Sequence, residues 1–512
     1  MGESKGIPRW MAISLVALVT VLALVALYVS RHTSSTPQLP ITPTMHAPGP
    51  VVQLWLSTED RRLRLARQPD IETTGHQALP ADVVIDTHTT YQSIVGFGAA
   101  LTDSSAWLIQ NRLSEQQRNA LLRELFGPPP GLNLNMTRLT IGASDFSLQQ
   151  YTLDDLPAGE VDPPLQHFNV ASNLRDVIPT VREALAVNPQ LHIIATPWSA
   201  PAWMKSNGNL IGGTLLDEYQ SAYANYLVKY VDTYRGYGIP IFALTVQNEP
   251  GFLPLTYPGM DISASTRAQI ITQYLGPALA SRKPRTLILD WDNNWDEPEQ
   301  PLGMLANPDA ARYINGVAWH CYRGSPAAQN RVHRAFPKKD TYITECSGGD
   351  WASSINGELL WFTRDLLLSG LRNWARGVVY WNLVLDEQHG PHLGGCDGCK
   401  GVVTIDSRTG EVTRNDEYDA FAHFSRFVLP GAVRVRSTAT GDGIDNVAFQ
   451  NASDGSVVLV MVNSKNDARS VSVMQDKISF QYTLPPQSVA TFVWTPDQIE
   501  SAWTRLVDRF FK

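Results

Sequence analysis

Two glutamates in this chain stand where a carboxyl group can do chemistry: Glu249 in Thr-Val-Gln-Asn-Glu-Pro and Glu345 in Tyr-Ile-Thr-Glu-Cys. Each closes an apolar run that reads as a β-strand. Two carboxyl groups held ~5 to 5.5 Å apart can break a glycosidic bond with retention, one protonating the leaving oxygen and the other attacking the anomeric carbon. Asn248, directly before Glu249, offers an amide for a sugar 2-hydroxyl, a bond that strengthens as positive charge develops on the ring. A lone glutamate at a strand end is usually a solvated surface group; Asn-Glu-Pro after an apolar strand is a more specific signal.

Such a pair needs elements that aim both groups at one point. Strand-like apolar runs at 93–97, 136–141, 192–196, 241–246, 286–290, 316–320, 341–344 and 378–382 alternate with amphipathic stretches such as 169–187, 217–234 and 263–280. Eight runs predict an α/β fold, a (β/α)8 TIM barrel, whose active site gathers at the C-terminal ends of its strands. The polar residues predicted there are Asp103, Asp145, Trp198, Asn248, Glu249, Asp292, His320, Tyr322, Glu345, Trp381 and Asn382. Carboxylates, amides and aromatic rings in one circle suit a sugar. An open doubly wound sheet is the rival, but the first run leads into Gly-Phe-Gly-Ala-Ala, which lacks the third glycine of a dinucleotide fingerprint.

Six further β-rich runs lie between Val433 and Trp494, separated by turn clusters such as Asn-Ala-Ser-Asp-Gly-Ser. They predict an antiparallel β-sandwich, which an early alternating run at 82–91 is expected to join. The predicted organisation is therefore 1–30 a signal anchor, 31–50 a stalk, 51–92 a β segment joining the sandwich, 93–430 the catalytic barrel, 431–495 the sandwich and 496–512 an amphipathic helix. Lys5 and Arg9 precede an uncharged stretch from Trp10 to Ser30, long enough to span a bilayer, so the body is expected to be exported and tethered at, or released from, the outer face of the membrane. The five prolines in 31–50 suit a stalk.

Composition excludes other classes. The net charge is −8 and no basic run appears, so nucleic acid is not a partner. Four cysteines in 512 residues are no disulfide scaffold; Cys396 and Cys399 suit a local disulfide in an oxidising compartment, and the state of Cys321 and Cys346 stays open. His389 and His392, in a Gly/Pro loop, make a poor zinc site, and the expectation is that no metal or organic cofactor is used.

Several dispersed motifs together resemble glycoside hydrolase family 30, particularly its acid glucosylceramidase branch: GFGAALTDSSA (96–106), Asp-Phe-Ser (145–147), TPWSAPAWMK (196–205), TVQNEP (245–250), HCY (320–322), ITEC (343–346) and YWNL (380–383). The resemblance spans about Trp55 to Trp494. It implies a barrel flanked by a sandwich built from both chain ends, Glu249 as acid/base, and Glu345 as nucleophile. It further implies Asp103, Trp198, Asn248 and Trp381 as glucose contacts, and Tyr257, His320 and Tyr322 as pocket-lining groups. The branch points to glucosylceramide or a related β-glucoside. The stretch GPHLGGCDGCKGVVTID (390–406) is similar to the strand-8 loop of relatives that cut β-1,6-glucan, and it also occurs in bacterial relatives labelled glucosylceramidase, so lipid specificity does not transfer simply. A surface carbohydrate-binding protein without activity is the rival from another class, and a transglycosylase would share every residue named.

Overall fold

The computed structural model describes residues 51–73, 81–351, 358–476 and 478–496. The predicted anchor and stalk, and the terminal helix beyond Pro496, lie outside these residues. Among the described residues no helix is long and apolar enough to cross a membrane.

Eight parallel strands close into a barrel: Gly96–Ala99, Met136–Ile141, His192–Pro197, Ala243–Thr245, Leu287–Asn294, Ile314–His320, Asp340–Glu345 and Gly377–Tyr380. Because side chains alternate along a strand, every second residue points inward. Met136, Ile194, Ala243, Leu289, Ala318, Tyr342 and Val379 form one apolar interior layer. Two residues further along come Arg138, Thr196, Thr245, His320, Thr344 and Trp381. The barrel thus changes from an apolar plug to a polar floor within one inward step.

Two bulges adjust that register. Pairing between the fifth and sixth strands slips between Trp291 and Asn293, where Trp291 and Asp292 take φ of 81° and 51°. Asp292 thereby occupies the inward place that strict alternation gives Trp291. Pairing between the sixth and seventh strands slips between Ile343 and Glu345, so consecutive residues Thr344 and Glu345 both serve the interior.

The second body is a nine-stranded sheet in the order Ile478–Leu484, Arg469–Gln475, Val83–Ser93, Val433–Ser437, Ile444–Gln450, Val457–Asn463, Ser488–Trp494, Val51–Thr58 and Ala66–Glu72. Phe480, on its first strand, touches Phe492 and Trp494, on its seventh, with ring centroids 5.4 and 5.6 Å apart. The sheet therefore folds over on itself as a sandwich around its own apolar core. It is built from both chain ends.

Residue 93, read in the sequence as the start of the barrel, is the last residue of a sandwich strand; the barrel strand begins at Gly96. The predicted helix 169–187 is two helices, Ala171–Leu174 and Val177–Val187. Helix Asp416–Ser425 joins the two bodies. His423 on it is wedged between Thr491 Oγ1 at 2.8 Å and Ser57 Oγ at 2.9 Å, and burial pushes its pKa down to about 3.

Candidate active site

The polar floor is organised by one carboxylate. Asp292 accepts hydrogen bonds from Arg138 (2.9 Å), Thr196 (3.1 Å), Thr245 (2.8 Å) and Thr344 (2.6 Å), and its other partner is His320 Nε2 at 3.2 Å. Those groups come from strands two, three, four, seven and six. Burial opposes the charge on Asp292, but Arg138 and the surrounding donors hold its carboxyl far below the usual range.

Arg138 distributes this order upward. Its guanidinium donates to Glu345 Oε2, to Asn248 Oδ1 at 2.7 Å and to Asp292, and it lies 4.9 Å from the Trp198 ring centroid. Tyr322 donates its hydroxyl to Glu345 Oε1 at 2.8 Å. Both oxygens of Glu345 are therefore held by donors, one of them cationic.

Glu249 is placed differently. Its backbone N–H donates to Asp292 O at 3.0 Å and its φ is 47°, a left-handed conformation of a kind that tends to persist at functional sites. Oε1 meets His320 Nδ1 at 3.0 Å. The side chain is 15% exposed, against 7% for Glu345. Burial works against a charged imidazole at His320, but Glu345, Asp292 and Glu249 outweigh it and push its pKa up to about 9.

One oxygen of Glu249, one of Glu345 and a ring nitrogen of His320 all lie within 4.8 Å of one another. That matches the short carboxyl spacing of a retaining glycosidase and falls below the ~6.5 to 9.5 Å of an inverting one. These three side chains are also the described cluster with metal-ligand geometry. Arg138 and Tyr322 already engage both Glu345 oxygens, and a metal ion there would meet the positive charges of that guanidinium and of His320.

The two glutamates open into a cleft of about 820 Å3 lined also by Asp145, Tyr257, Tyr322, Trp351, Trp381, Cys396 and Cys399. A larger groove of about 1150 Å3, lined by Arg123, Pro129 and Tyr418 among others, does not include either glutamate. One disulfide lines the catalytic cleft and another joins the strands that carry its machinery. Cys321–Cys346 ties the ends of strands six and seven, and Cys396–Cys399 closes the short turn of the strand-eight loop.

Of the site residues read from sequence, Asn248, Tyr257, His320, Tyr322 and Trp381 gather around Glu249 and Glu345. Two do not. Asp103 is the first residue of helix Asp103–Arg112, capped by Thr102, and its carboxylate accepts from Ser147 (2.7 Å) and Tyr151 (2.9 Å) beside a smaller pocket. Trp198 is 3% exposed and stacks on Trp381, centroids 5.1 Å apart, as the layer behind the cleft wall.

Sequence reading missed Arg138 and left Asp292 and Asp145 without a role. The signal for Arg138 was an arginine in the middle of Met-Thr-Arg-Leu-Thr-Ile, a strand buried at every position. Burial first, then the charges of Glu345 and Glu249, push Asp145 up to about 8, so it faces the cleft as a neutral carboxyl at neutral pH. Among the described residues its Oδ1 has no hydrogen-bond partner.

A family model described as the glycosyl hydrolase family 30 TIM-barrel domain matches residues 94–428, and that of the family's β-sandwich domain matches 431–492. The chain is 37% identical over 431 residues to an endo-1,6-β-D-glucanase of Aspergillus fumigatus, covering 78% of this chain and 85% of the relative. It is 28% identical over 441 residues to the lysosomal acid glucosylceramidase of Mus musculus, covering 79% and 81%. A solved endo-β1,6-glucanase aligns with a TM-score of 0.80 at 30% identity, covering 88% of this chain and 100% of the other. With both domain models matched in order along one barrel and one sandwich, the chain is a glycoside hydrolase and belongs to glycosyl hydrolase family 30.

Proposed function

We propose that this chain is an exported endo-β-1,6-glucanase that cleaves by double displacement, with Glu345 as nucleophile and Glu249 as acid/base. The observation that carries the roles is the unequal treatment of the two carboxyl groups. Glu345 receives Arg138 and Tyr322, donors that favour an oriented anion, while Glu249 has one histidine contact and an edge open to the cleft.

In the first step Glu345 attacks the anomeric carbon while the proton of Glu249 passes to the departing oxygen, leaving a glycosyl ester. Loss of the charge on Glu345 then favours Glu249 as base. It takes a proton from water, the hydroxyl attacks the same carbon, and Glu345 leaves as carboxylate. Arg138 stays in place throughout and stabilises the returning charge. Asn248, fixed by Arg138, offers its amide N–H to the sugar.

Three observations favour β-1,6-glucan over glucosylceramide, the substrate first suggested by the motifs. Relatives named endo-1,6-β-D-glucanase match at 35 to 37% identity, among them one of Neurospora crassa at 35% over 453 residues, whereas those named glucosylceramidase match at 28 to 30%. The loop 390–406 resembles that of the glucan-cutting relatives. Its disulfide Cys396–Cys399 also lines the cleft. One feature favours the lipid reading, the exposed apolar loop with Phe252, Leu253 and Leu255 at the cleft mouth.

Export is part of the proposal because Lys5, Arg9 and the uncharged stretch to Ser30 form a membrane-targeting pattern, and two disulfides suit an oxidising compartment. The deciding assay compares linear β-1,6-glucan with glucosylceramide in detergent, following new reducing ends by NMR. Short β-1,6 oligomers appearing first as the β-anomer are expected. Glucose released from glucosylceramide with the glucan untouched would transfer the proposal to the lipid.

A further inference from the structure

Five of the nine large apolar side chains exposed among the described residues border the catalytic cleft: Phe252, Leu253, Leu255, Tyr322 and Trp351. Trp351 differs from the others in how it is held. It follows the seventh barrel strand and is 57% exposed, yet its ring is seated on backbone. A Cβ at Gly349 would come within 2.3 Å of Trp351 Cζ3 and 2.3 Å of Gly398 O, so the absence of a side chain there lets the indole lie down.

The seat itself is braced. Gly349 pairs with Cys399 in a short antiparallel bridge, Asp350 N–H donates to Gly398 O at 3.0 Å, and Lys400 N–H donates to Gly348 O at 3.1 Å. Asp350 is further gripped by His389 at 2.9 Å and Lys400 at 3.2 Å. The disulfide Cys396–Cys399 closes the opposite side of this unit. A large apolar ring that is exposed and yet fixed has paid little conformational entropy at binding, which is the condition for a good recognition surface.

We propose that Trp351, seated on Gly349 and the Cys396–Cys399 turn, is a stacking platform for a sugar unit next to the one that reacts at Glu345. This rests on the glucan reading and deepens it, because a platform outside the reacting subsite rewards a polymer and not a single sugar. The flat apolar face of a glucosyl ring matches an indole, and the C–H groups of that face meet the negative face of the π system. The flexible acyl chains of a lipid would gain no comparable advantage from a rigid plane.

The test measures kcat/KM on β-1,6-linked glucose oligomers of two to five units, each value divided by that of the same enzyme on an aryl β-glucoside. Wild type is expected to gain with length, and Trp351→Ala to lose about tenfold of that gain, the size of one stacking contact. Trp351→Tyr, which keeps a ring, should restore most of it. The division removes any loss through misfolding. A length gain left intact in Trp351→Ala overturns the platform alone. Wild-type enzyme inactive on oligomers of every length overturns the glucan reading, and the platform with it.

Discussion

The floor of the cleft and its rim are built on opposite principles. On the floor, Arg138, Asp292, His320 and three threonines hold one another through side chains that come from five other strands to a single carboxylate, and Arg138 and Asp292 have no exposed side-chain surface. At the rim, Trp351, the 250–257 segment and the strand-eight loop stand on backbone turns and a disulfide, with much of their apolar surface in solvent. The comparison teaches a division of labour. Bond cleavage depends on groups whose positions are over-determined, and choice of substrate on groups that can vary without disturbing them.

Substitutions can break or sharpen that division. The largest effect is expected for Glu345→Gln, which should lower kcat on the order of 10^4-fold or more on both glucan and aryl glucoside. Glu249→Ala should cost ~10^2 to 10^4 on oligomers but far less in the first step with an activated aryl leaving group, which needs no proton. Equal losses on both substrates would remove the acid role.

Arg138→Met takes the guanidinium from the buried carboxylates of Asp292 and Glu345 and leaves His320 to balance both, and a cost of ~3 to 5 kcal/mol in unfolding free energy is expected by denaturant titration. Adding Asp292→Asn should recover part of it; no recovery would mean that the floor is not one network.

His320 gives a pH signature. Its folded pKa of about 9 lies above the value of ~6.5 for the unfolded chain, so its stabilising contribution is complete below pH ~6.5 and is lost as pH rises towards 9. A Tm that falls over this window in wild type, and falls less in His320→Gln, is the expected result. An identical fall in both would assign the dependence to other groups, such as Asp145, whose pKa of about 8 lies in the same window.

The smallest effect belongs to the rim. Replacing Cys396 and Cys399 by serine should lower the oligomer-to-aryl-glucoside activity ratio several-fold, because the seat of Trp351 loosens. A proportional loss on both substrates would show that the turn supports the floor as well.

The barrel was legible because alternation writes it plainly: Met-Thr-Arg, Ile-Ala-Thr, Ala-Leu-Thr, Ala-Trp-His and Tyr-Ile-Thr each pair an apolar inward residue with a polar one two places on. Asp292 was legible as a member of the strand-end ring but not as the hub of the floor, because a bulge, not alternation, turns it inward, and a bulge leaves no local pattern. Arg138 was visible as a charge in a buried strand, but its partners are 58 to 207 residues away in sequence. Asp103 and Trp198 went the other way. Their motifs suggested sugar contacts, while local hydrogen bonds to Ser147 and Tyr151, and stacking on Trp381, engage them in the wall.

The link between Cys321 and Cys346 sits one residue beyond His320 and Glu345. Chain recovered from a reducing cytosol would carry a buried thiol at Cys346 and a half-buried one at Cys321 beside its working groups, the latter open to mercurials and alkylating agents. Material matured under oxidising conditions would ignore the same reagents, so inhibition by a thiol probe reports which history a preparation has had.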